Sequence, residues 1–416
     1  MNIGYACLTV GVRETKLKTC TLKNISSDKL TYLIQSNLDS LDNIIEYNIR
    51  NDIKLFRISS DIIPFGSHKV NTLKWWEQFD NQLKEIGNKA LTNGIRLSMH
   101  PGQYTVLNSK DEEVAGRAAE ELQYHARFLD ALGLGSESKI ILHIGGAYGD
   151  KDAAVKRFIQ KYQYLDENIR QRLVIENDDR NYNISEVLAI GESENIPVVF
   201  DNLHNQVNPD NSRSEAEWIA ACRSTWKASD GPQKIHYSQQ GVGKRPGSHS
   251  ATIDVDEFLQ FYNVLPNFDM DIMVEVKDKN LSAVKCINTV AHSKILRLEK
   301  EWERYKYLVL ENSPQIYNEI RQLLKPKNTY PVLKFYKLID EALRTSPSPG
   351  QAVNAAQHIW GYLSGLADEK TSQTFEKNIE KVYQGGSTVT LKRQIWTLVI
   401  KQQQEYLLDS LYFMNL

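Results

Sequence analysis

The sequence predicts an α/β protein built on a TIM (β/α)8 barrel, followed by a smaller all-α domain. Short runs rich in Ile, Val and Leu recur along the first 280 residues, segments with helical spacing separate them, and only helical segments follow residue 300. Strands that alternate with helices favour parallel βαβ units over hairpins. Eight such units in this length match the size of a barrel. An open doubly wound sheet is the structural alternative.

The predicted strands are short apolar runs bounded by polar residues, Gly or Pro. They occupy residues 2–8, 53–59, 95–100, 139–144, 172–176, 196–201, 233–238 and 271–276. Helical spacing lies between them, for example over 75–93 and 112–132, where apolar residues recur at steps of three or four. No Gly-rich GxGxxG turn follows the first strand, so dinucleotide binding has no support.

The predicted secondary structure changes near residue 300, after which only helices are predicted. Helices are predicted over 302–310, 314–324, 330–343, 351–363, 369–383 and 388–411. Turns at Ser346-Pro-Ser-Pro-Gly350 and Gln384-Gly-Gly386 separate some of them. We therefore predict a barrel domain over 1–300 and an all-helical domain over 301–416, although the seam at 295–302 could fall within one continuous helix.

Composition narrows the class of protein. The chain has 416 residues, 41% of them hydrophobic, and a formal net charge of −2, a profile typical of soluble globular proteins rather than disordered, collagen-like or disulfide-stapled ones. The four Cys lie far apart without a CxxC pair, and neither a signal peptide nor an apolar transmembrane run is present. We expect a cytoplasmic protein of bacterial type without membrane contact. The near-neutral charge argues against a nucleic-acid binder that relies on basic excess.

Several predicted strands end on a side chain that can bind a metal ion. In a β/α barrel the carboxyl ends of all strands converge on one mouth, where active sites lie. A single such residue is more often satisfied by a hydrogen bond, but six consecutive strands that share the feature indicate a metal site. The candidate ligands are His100, His143, Glu176, Asp201, His204, His236, His249 and Glu275.

This set is larger than one ion can use, because zinc takes about four ligands and an octahedral ion about six. Imidazoles with carboxylates suit borderline ions such as Zn and Mn, and bound cations relieve the repulsion between carboxylates that share one mouth. We predict a cluster of two or three divalent ions with a bridging carboxylate. Such clusters serve in-line displacement at phosphorus, which makes phosphodiester hydrolysis the leading chemistry. The ions would also add about +4 to +6 to the formal charge, concentrated at the mouth.

These residues lie in strings that resemble the UV damage endonucleases. The resemblance runs in order over roughly residues 1–295 and includes every candidate ligand. The strings are Phe56-Arg-Ile-Ser-Ser60, Ser98-Met-His-Pro-Gly-Gln-Tyr104, His143-Ile-Gly-Gly-Ala-Tyr148, Ile175-Glu-Asn-Asp-Asp179, Val199-Phe-Asp-Asn-Leu-His204 and Lys234-Ile-His236.

The resemblance implies a TIM barrel, similar to endonuclease IV, with a cluster of divalent ions, manganese foremost and Zn, Co or Mg as alternatives. It implies incision of double-stranded DNA immediately 5′ to UV photoproducts, which leaves 3′-hydroxyl and 5′-phosphate ends. It also implies that all eight candidates are metal ligands, with Glu176 as the bridge. Lys234 matches a lysine that can be carboxylated, although by itself it reads as a surface or phosphate-contacting lysine. We predict Glu176, Lys234 and His236 as the catalytic residues.

The resemblance extends to residues that contact the lesion. Gln103 and Tyr104 match a pair that probes the gap left by flipped bases, where a planar amide and a ring can replace lost pairing and stacking; a Pro-Gly turn with a packed tyrosine is the alternative. Tyr5 resembles the tyrosine of the lesion pocket, but the Asn-containing insertion that many members carry is missing after Cys7. Arg57, Lys244 and Arg245 are candidate phosphate contacts or else solvated surface charges.

The helical domain resembles an uncharacterised YbgA-type domain, through Tyr305-Lys-Tyr-Leu-Val-Leu310, Asn354-Ala-Ala-Gln-His-Ile-Trp-Gly-Tyr362 and Tyr406-Leu-Leu408. We interpret it as a stability or interaction module that could hold a protein partner, and we expect a monomer. His68, His125, His292 and His358 are interpreted as structural. The competing functions are an abasic-site endonuclease of the endonuclease IV type, a two-metal sugar isomerase of barrel fold and a non-catalytic damage-binding scaffold.

Overall fold

A computed structural model describes residues 1–291 and 293–416, so the structural interpretation of His292 lies outside the described residues. They form two compact units. The first comprises Met1–Thr9, Glu14–Ile253 and Gln260–Ile287, and the second Val10–Arg13, Asp254–Leu259 and Asn288–Leu416. Among the described helices, none combines the length and the apolar character that crossing a bilayer requires.

The first unit is built around eight short strands that are almost completely buried. They are β1 (Asn2–Ala6), β2 (Leu55–Ile58), β3 (Arg96–Met99), β4 (Ile140–His143), β5 (Leu173–Glu176), β6 (Val198–Asp201), β7 (Gln233–Tyr237) and β8 (Met270–Val274). Each strand pairs in parallel with the next, and β8 pairs with β1, so the strands close into a barrel in chain order. The predicted barrel is confirmed, and the open-sheet alternative is wrong.

Helices alternate with these strands. The bounds are α1 (Ser27–Arg50), α2 (Trp75–Gln78), α3 (Asp80–Thr92), α4 (Glu112–Ala131), α5 (Lys151–Gln163), α6 (Glu167–Arg172), α7 (Ile184–Glu194), α8 (Asn202–Val207), α9 (Glu215–Arg223), α10 (Val255–Val264) and α11 (Asn280–Val290). The helix predicted over 75–93 is divided at Phe79, whose backbone leaves the helical region at φ −110° and ψ 21°. Asp111 begins α4 by accepting hydrogen bonds from the amides of Glu113 and Val114, as an N-cap aspartate does.

Contacts between strands that are not neighbours reveal which side chains face the barrel interior. Arg96 on β3 donates to Asp271 on β8 at 2.8 Å, and these two strands do not pair with each other. Because side chains alternate along a strand, Ser98 shares the interior face with Arg96, and His100 continues this face at the carboxyl end of β3. The interior therefore has a charged floor at the amino ends of the strands and a ligand-rich mouth at their carboxyl ends.

The second unit is helical, as predicted. Its helices are α12 (Ile295–Asn312), α13 (Pro314–Leu323), α14 (Val332–Leu343), α15 (Pro349–Trp360), α16 (Glu369–Tyr383), α17 (Val389–Lys401) and α18 (Glu405–Leu408). The helix predicted over 388–411 is interrupted after Lys401, where Gln403 has a left-handed φ of 50°. Residue 300 lies within α12, so the boundary between 300 and 301 falls inside a helix, and it stays a prediction.

Candidate metal centre

The predicted ligands come from consecutive strand ends. His143, Glu176 and Asp201 are the last residues of β4, β5 and β6, while His100 and Glu275 follow β3 and β8 directly. His236 lies within β7, and His204 lies in the first turn of α8. Since all eight strands are parallel, these side chains lie at the same end of the barrel.

Glu176 is the centre of this group. Its Oε2 lies 3.3 Å from Nε2 of His100 and 3.7 Å from Nε2 of His143. Its Oε1 lies 2.7 Å from Nδ1 of His236. The carboxylate is 1% exposed, so three imidazoles approach one buried carboxylate, two of them partly exposed from the side of the mouth.

Two overlapping sets of ligand atoms lie close enough to hold a cation. One set is His100, His143 and Glu176, the other is Glu176, Asp201 and His236, and within each the ligand atoms lie within 4.8 Å of one another. Glu176 belongs to both sets, which is the arrangement expected of a bridging carboxylate. Glu275 adjoins the second set, with Oε1 3.3 Å from Nδ1 of His236.

Backbone carbonyls fix the ring orientation of two histidines. Nδ1 of His100 lies 2.9 Å from the carbonyl oxygen of Pro101, and Nδ1 of His204 lies 2.9 Å from that of Asn177. A neutral ring that donates Nδ1–H to a carbonyl keeps Nε2 as an acceptor, which is the usual preparation of a metal-ligating histidine. Asn177 is itself fixed, because its amide exchanges two hydrogen bonds with the backbone of Asp201, at 3.0 and 2.9 Å.

The electrostatics of the group favour a bound cation. Burial, together with the neighbouring carboxylates Glu176 and Glu275, raises the pKa of Asp201 to about 6, although His204 acts in the opposite direction. Burial lowers the pKa of His143 to about 4, so this ring is neutral and able to ligate near pH 7. For His204 burial acts in the same direction, but Asp201, Glu176 and Glu275 outweigh it and raise its pKa to about 9. A carboxylate cluster that attracts protons this strongly also attracts metal ions.

Buried polar atoms without a partner test whether the group fits a metal. Oε2 of Glu176, Nδ1 of His143 and Nε2 of His236 are buried and have no hydrogen-bond partner among the described residues. Leaving such atoms unsatisfied costs about 1–3 kcal/mol each, and ligation would remove part of that cost. The donor set of imidazoles and carboxylates, with these orphaned atoms, fits divalent cations.

His249 is the predicted ligand that the structure brings least close. Its backbone pairs with Gln240 in an isolated antiparallel bridge. Burial lowers the pKa of its imidazole, while Glu275 raises it, so the two side chains share one electrostatic environment. Among the described residues, neither of the two close sets of ligand atoms includes His249.

Lys234 lies two residues before His236 on the same face of β7 and is completely buried. Within the part of the chain that the structure describes, its Nζ has no hydrogen-bond partner. Burial, followed by the cations Arg96, Arg57 and Lys139, holds the pKa of this amine well below its usual value, although Asp271 acts in the opposite direction. Lys234 therefore lies in the barrel interior with an ammonium group that burial disfavours, and its predicted interpretation as a surface lysine is wrong.

Two predicted DNA contacts have other partners in the structure. Tyr5 is 0% exposed, and its hydroxyl donates to Asn48 of α1 at 2.9 Å. The hydroxyl of Tyr5 is thus engaged with α1 inside the protein, and its role in a lesion pocket stays a prediction. The guanidinium of Arg57 donates to Glu275 and is only 11% exposed, so the structure does not support a surface contact with phosphate.

A cleft of about 490 Å³ opens beside the centre, lined by His100, His143 and His204 together with loop residues after β3, β4 and β5. Of the predicted DNA contacts, Gln103 and Arg245 are among the residues described as lining this cleft, and Lys244 is not. Tyr104 projects into solvent with 85% of its surface exposed, which excludes the alternative of a packed tyrosine.

The sequence analysis did not single out Tyr148, which also lines the cleft. Its ring is 40% exposed, its φ is a left-handed 53°, and Nζ of Lys110 donates to its carbonyl oxygen at 3.0 Å. The guanidinium carbon of Arg157 lies 5.5 Å from the ring centroid. An aromatic residue two positions after the pair Gly145-Gly146, next to a ligand strand, was the available signal.

Known UV endonucleases are similar to this chain in sequence and in fold. The sequence profile of a family described as UV-endonuclease UvdE matches residues 1–305, and that of a protein family of unknown function, DUF1722, matches residues 306–415. A UV DNA damage endonuclease of Clostridium perfringens (strain 13 / Type A) is 43% identical over 392 residues, which cover 92% of this chain and 93% of that relative. A putative UV-damage endonuclease of Acanthamoeba polyphaga mimivirus is 38% identical over 299 residues, 68% of this chain and 90% of the relative. The crystal structure of SacUVDE superimposes with a TM-score of 0.65 at 39% identity, covering 70% of this chain and 98% of that one.

Proposed function

The chain belongs to the UV-endonuclease UvdE family, and we propose that it incises double-stranded DNA immediately 5′ to UV photoproducts at the residues around Glu176. Membership of the family, which confirms the resemblance found in the sequence, makes the protein an endonuclease of UV-damaged DNA. The observation that carries the position of the active site is the convergence of His100, His143 and His236 on the Glu176 carboxylate.

The centre would hold two or three divalent ions, with manganese as the first candidate and Zn, Co or Mg as alternatives. The ligands would be His100, His143, Glu176, Asp201, His204, His236, His249 and Glu275. The shared position of Glu176 in both sets of ligand atoms supports its role as the bridge. When bound, such ions supply Lewis acidity at the phosphoryl oxygen and stabilise the charge that develops on the attacking and leaving oxygens.

The protein side chains contribute preorganisation. Carbonyl oxygens fix the rings of His100 and His204 before substrate arrives, so little reorganisation is needed at the moment of reaction. His236 contacts both Glu176 and Glu275 and thereby joins the carboxylates of β5 and β8. The incised strand would carry a 3′-hydroxyl and a 5′-phosphate.

Lys234 would act as a carboxylated lysine. In that reaction the neutral amine forms an N–C bond with carbon dioxide and releases a proton, which leaves an anionic carbamate. The lowered pKa and the unpartnered Nζ support this proposal, because only the free amine is a nucleophile and because a carbamate would satisfy the nitrogen. Its negative charge would offset the surrounding cations Arg96, Arg57 and Lys139.

DNA would enter along the cleft. Gln103 and the exposed ring of Tyr104 would occupy the gap left by flipped bases, since an amide and an aromatic ring replace pairing and stacking. Arg245, together with Lys244 in the same loop, would contact backbone phosphates. Damaged bases unstack at lower cost than intact ones, which gives selectivity without an excess of basic residues.

One assay separates this function from its competitors. We expect the protein with Mn²⁺ to nick a UV-irradiated duplex, to leave an abasic duplex intact, and to lose activity with a chelator. A polymerase should extend the nicked ends, as it does a 3′-hydroxyl. Nicking confined to abasic DNA would favour the endonuclease IV-type alternative, and damage binding without nicking would favour a scaffold. Two bound ions with sugar isomerisation and no nicking would favour an isomerase.

The helical unit matches a family of unknown function. We keep the domain boundary at residue 300, a monomeric state and a protein partner bound through residues 301–416 as proposals. As an enzyme that acts on DNA, the protein would lie in the cytoplasm of a bacterial-type cell, in association with the nucleoid.

A further inference from the structure

We propose that Arg57 is a positioning residue that holds Glu275 ready to bind a metal ion, rather than a contact to DNA. This inference rests on the proposed metal-dependent function of the same site. Arg57 would thus belong to the metal centre without being a ligand itself, because its buried guanidinium would orient a ligand.

The backbone of Arg57 is held rigidly. The residue lies in β2, in register with Ala6 of β1 and Ser98 of β3. Its carbonyl oxygen accepts a hydrogen bond from the amide of Cys7 at 2.8 Å. A side chain that extends from this backbone therefore starts from a fixed position in the barrel wall, which is a requirement for a residue that orients another.

The guanidinium contacts one oxygen of Glu275, which follows β8, the next strand but one from β2 around the barrel. Nη1 of Arg57 donates to Oε1 of Glu275, 218 positions away in sequence, and the same Oε1 lies 3.3 Å from Nδ1 of His236. Both contacts fall on Oε1, which leaves Oε2 for a cation. Such hydrogen bonds to a ligating carboxylate orient it toward the metal.

A comparison with Arg96 distinguishes positioning from general support of the barrel. Arg96 uses Nε, Nη1 and Nη2 to bind the carbonyl oxygens of three residues in addition to the carboxylate of Asp271. Nε of Arg57 is buried without a hydrogen-bond partner in residues 1–291 and 293–416. The guanidinium of Arg57 is thus directed at the ligand, whereas that of Arg96 ties together the floor of the barrel.

Burial distinguishes positioning from phosphate binding. The Arg57 side chain is 11% exposed, and the residue is absent from the lining described for the cleft, where Arg180 and Arg245 are present. Arginines that contact backbone phosphates steer and bind DNA from the surface, and their loss weakens binding uniformly across sequences.

The test compares Arg57→Met with Arg245→Met in the full chain. Titration calorimetry of Mn²⁺ into apoprotein should show affinity reduced by about 10–100-fold for Arg57→Met, as for other partners of metal ligands, and unchanged for Arg245→Met. At saturating Mn²⁺, nicking by Arg57→Met should recover toward wild type with KM for DNA unchanged, whereas Arg245→Met should raise KM. Unchanged or tighter Mn²⁺ binding by Arg57→Met, or a raised KM, would overturn the proposal.

A double-mutant cycle separates the proposal from its premise. In a Glu275→Gln background, Arg57→Met should reduce Mn²⁺ affinity no further, because the two residues act through one contact. If Arg57→Met fails to fold, Arg57→Lys, which keeps the charge but not the geometry, should give an intermediate loss; full wild-type affinity would count against positioning. Absence of Mn²⁺ binding by the wild type would instead refute the proposed function.

Discussion

Nδ1 of His236 lies 2.7 Å from Oε1 of Glu176, and both side chains are 1% exposed. The two residues come from β7 and β5, which are not neighbours in the barrel, so the contact crosses the interior. No described residue is a hydrogen-bond partner of Nε2 of His236. A buried imidazole that binds a carboxylate on one side and nothing on the other is the arrangement of a ring prepared for a metal ion.

Replacing Glu176 should abolish incision. Glu176→Ala removes the carboxylate shared by both sets of ligand atoms, so we expect nicking of UV-irradiated plasmid to fall by more than the about 100-fold typical of outer-shell changes. Binding of UV-damaged DNA, measured by fluorescence anisotropy, should remain detectable. Nicking at the wild-type rate would show that the centre lies elsewhere.

Replacing Lys234 should affect the stability of the protein and its incision activity differently. Lys234→Met removes an unpartnered buried amine, so stability should be unchanged or raised, while incision should fall if a carbamate is needed. The matched control is Lys139→Met, because Lys139 is also completely buried but donates to Asp230 and to the carbonyl oxygen of Gln171, at 2.5 and 2.7 Å. We expect that change to cost about 3–5 kcal/mol.

Thermal unfolding measures the effect of each substitution on stability, and nicking rates measure its effect on incision. Wild-type protein equilibrated with ¹³C-bicarbonate should show a carbamate carbon signal by NMR that Lys234→Met lacks. The proposed carboxylation would be contradicted if Lys234→Met nicked DNA at the wild-type rate and still showed the carbamate signal.

Tyr104 should contribute to recognition of damaged DNA. Loss of a stacking ring costs about 1–3 kcal/mol per base, so Tyr104→Ala should weaken binding of UV-damaged duplex by that amount. Tyr164 is the control, because its ring is 82% exposed, close to the 85% of Tyr104, but it follows α5 and is absent from the lining described for the cleft. Equal losses for Tyr104→Ala and Tyr164→Ala in anisotropy measurements would exclude a specific role.

His125 should make the barrel sensitive to acid. Burial lowers its pKa from 6.5 to about 4, and its ring nitrogens lie 2.7 Å from the carbonyl oxygen of Glu121 and 3.0 Å from the hydroxyl of Ser60. The unfolded chain therefore binds a proton near pH 6.5 that the folded chain does not bind until about pH 4. The stabilisation is complete above pH 6.5, and about 3 kcal/mol of it is lost as the pH falls to 4.

The variant His125→Gln isolates this effect. The difference in unfolding free energy between wild type and His125→Gln, measured by urea denaturation with a chelator present, should shrink between pH 7 and pH 5. His358→Gln changes an exposed histidine of α15 and should keep a constant difference. A constant difference for His125→Gln as well would contradict the prediction.

Local patterns in the sequence were sufficient for the barrel and much of its centre. Apolar runs placed all eight strands within a few residues, and the first ended early only because Cys7 adopts a left-handed φ of 69°. Residue type at strand ends identified His100, His143, Glu176, Asp201 and His236, which the structure gathers. Helix ends were less predictable, since the break at Phe79 interrupts an apolar periodicity that continues through it.

By itself, the sequence determined the fold class and the residues that stand at the mouth of the barrel, because strand periodicity, residue type and family strings are properties of contiguous residues. Only the tertiary structure decided the partners of Tyr5, Arg57 and Lys234. Each of the three depends on what lies beyond its own strand. A helix packs over Tyr5, a glutamate that follows the next strand but one meets Arg57, and the charged floor surrounds Lys234. Contacts within a closed barrel join residues that are far apart in sequence, 218 positions for Arg57 and Glu275, and no local pattern records them.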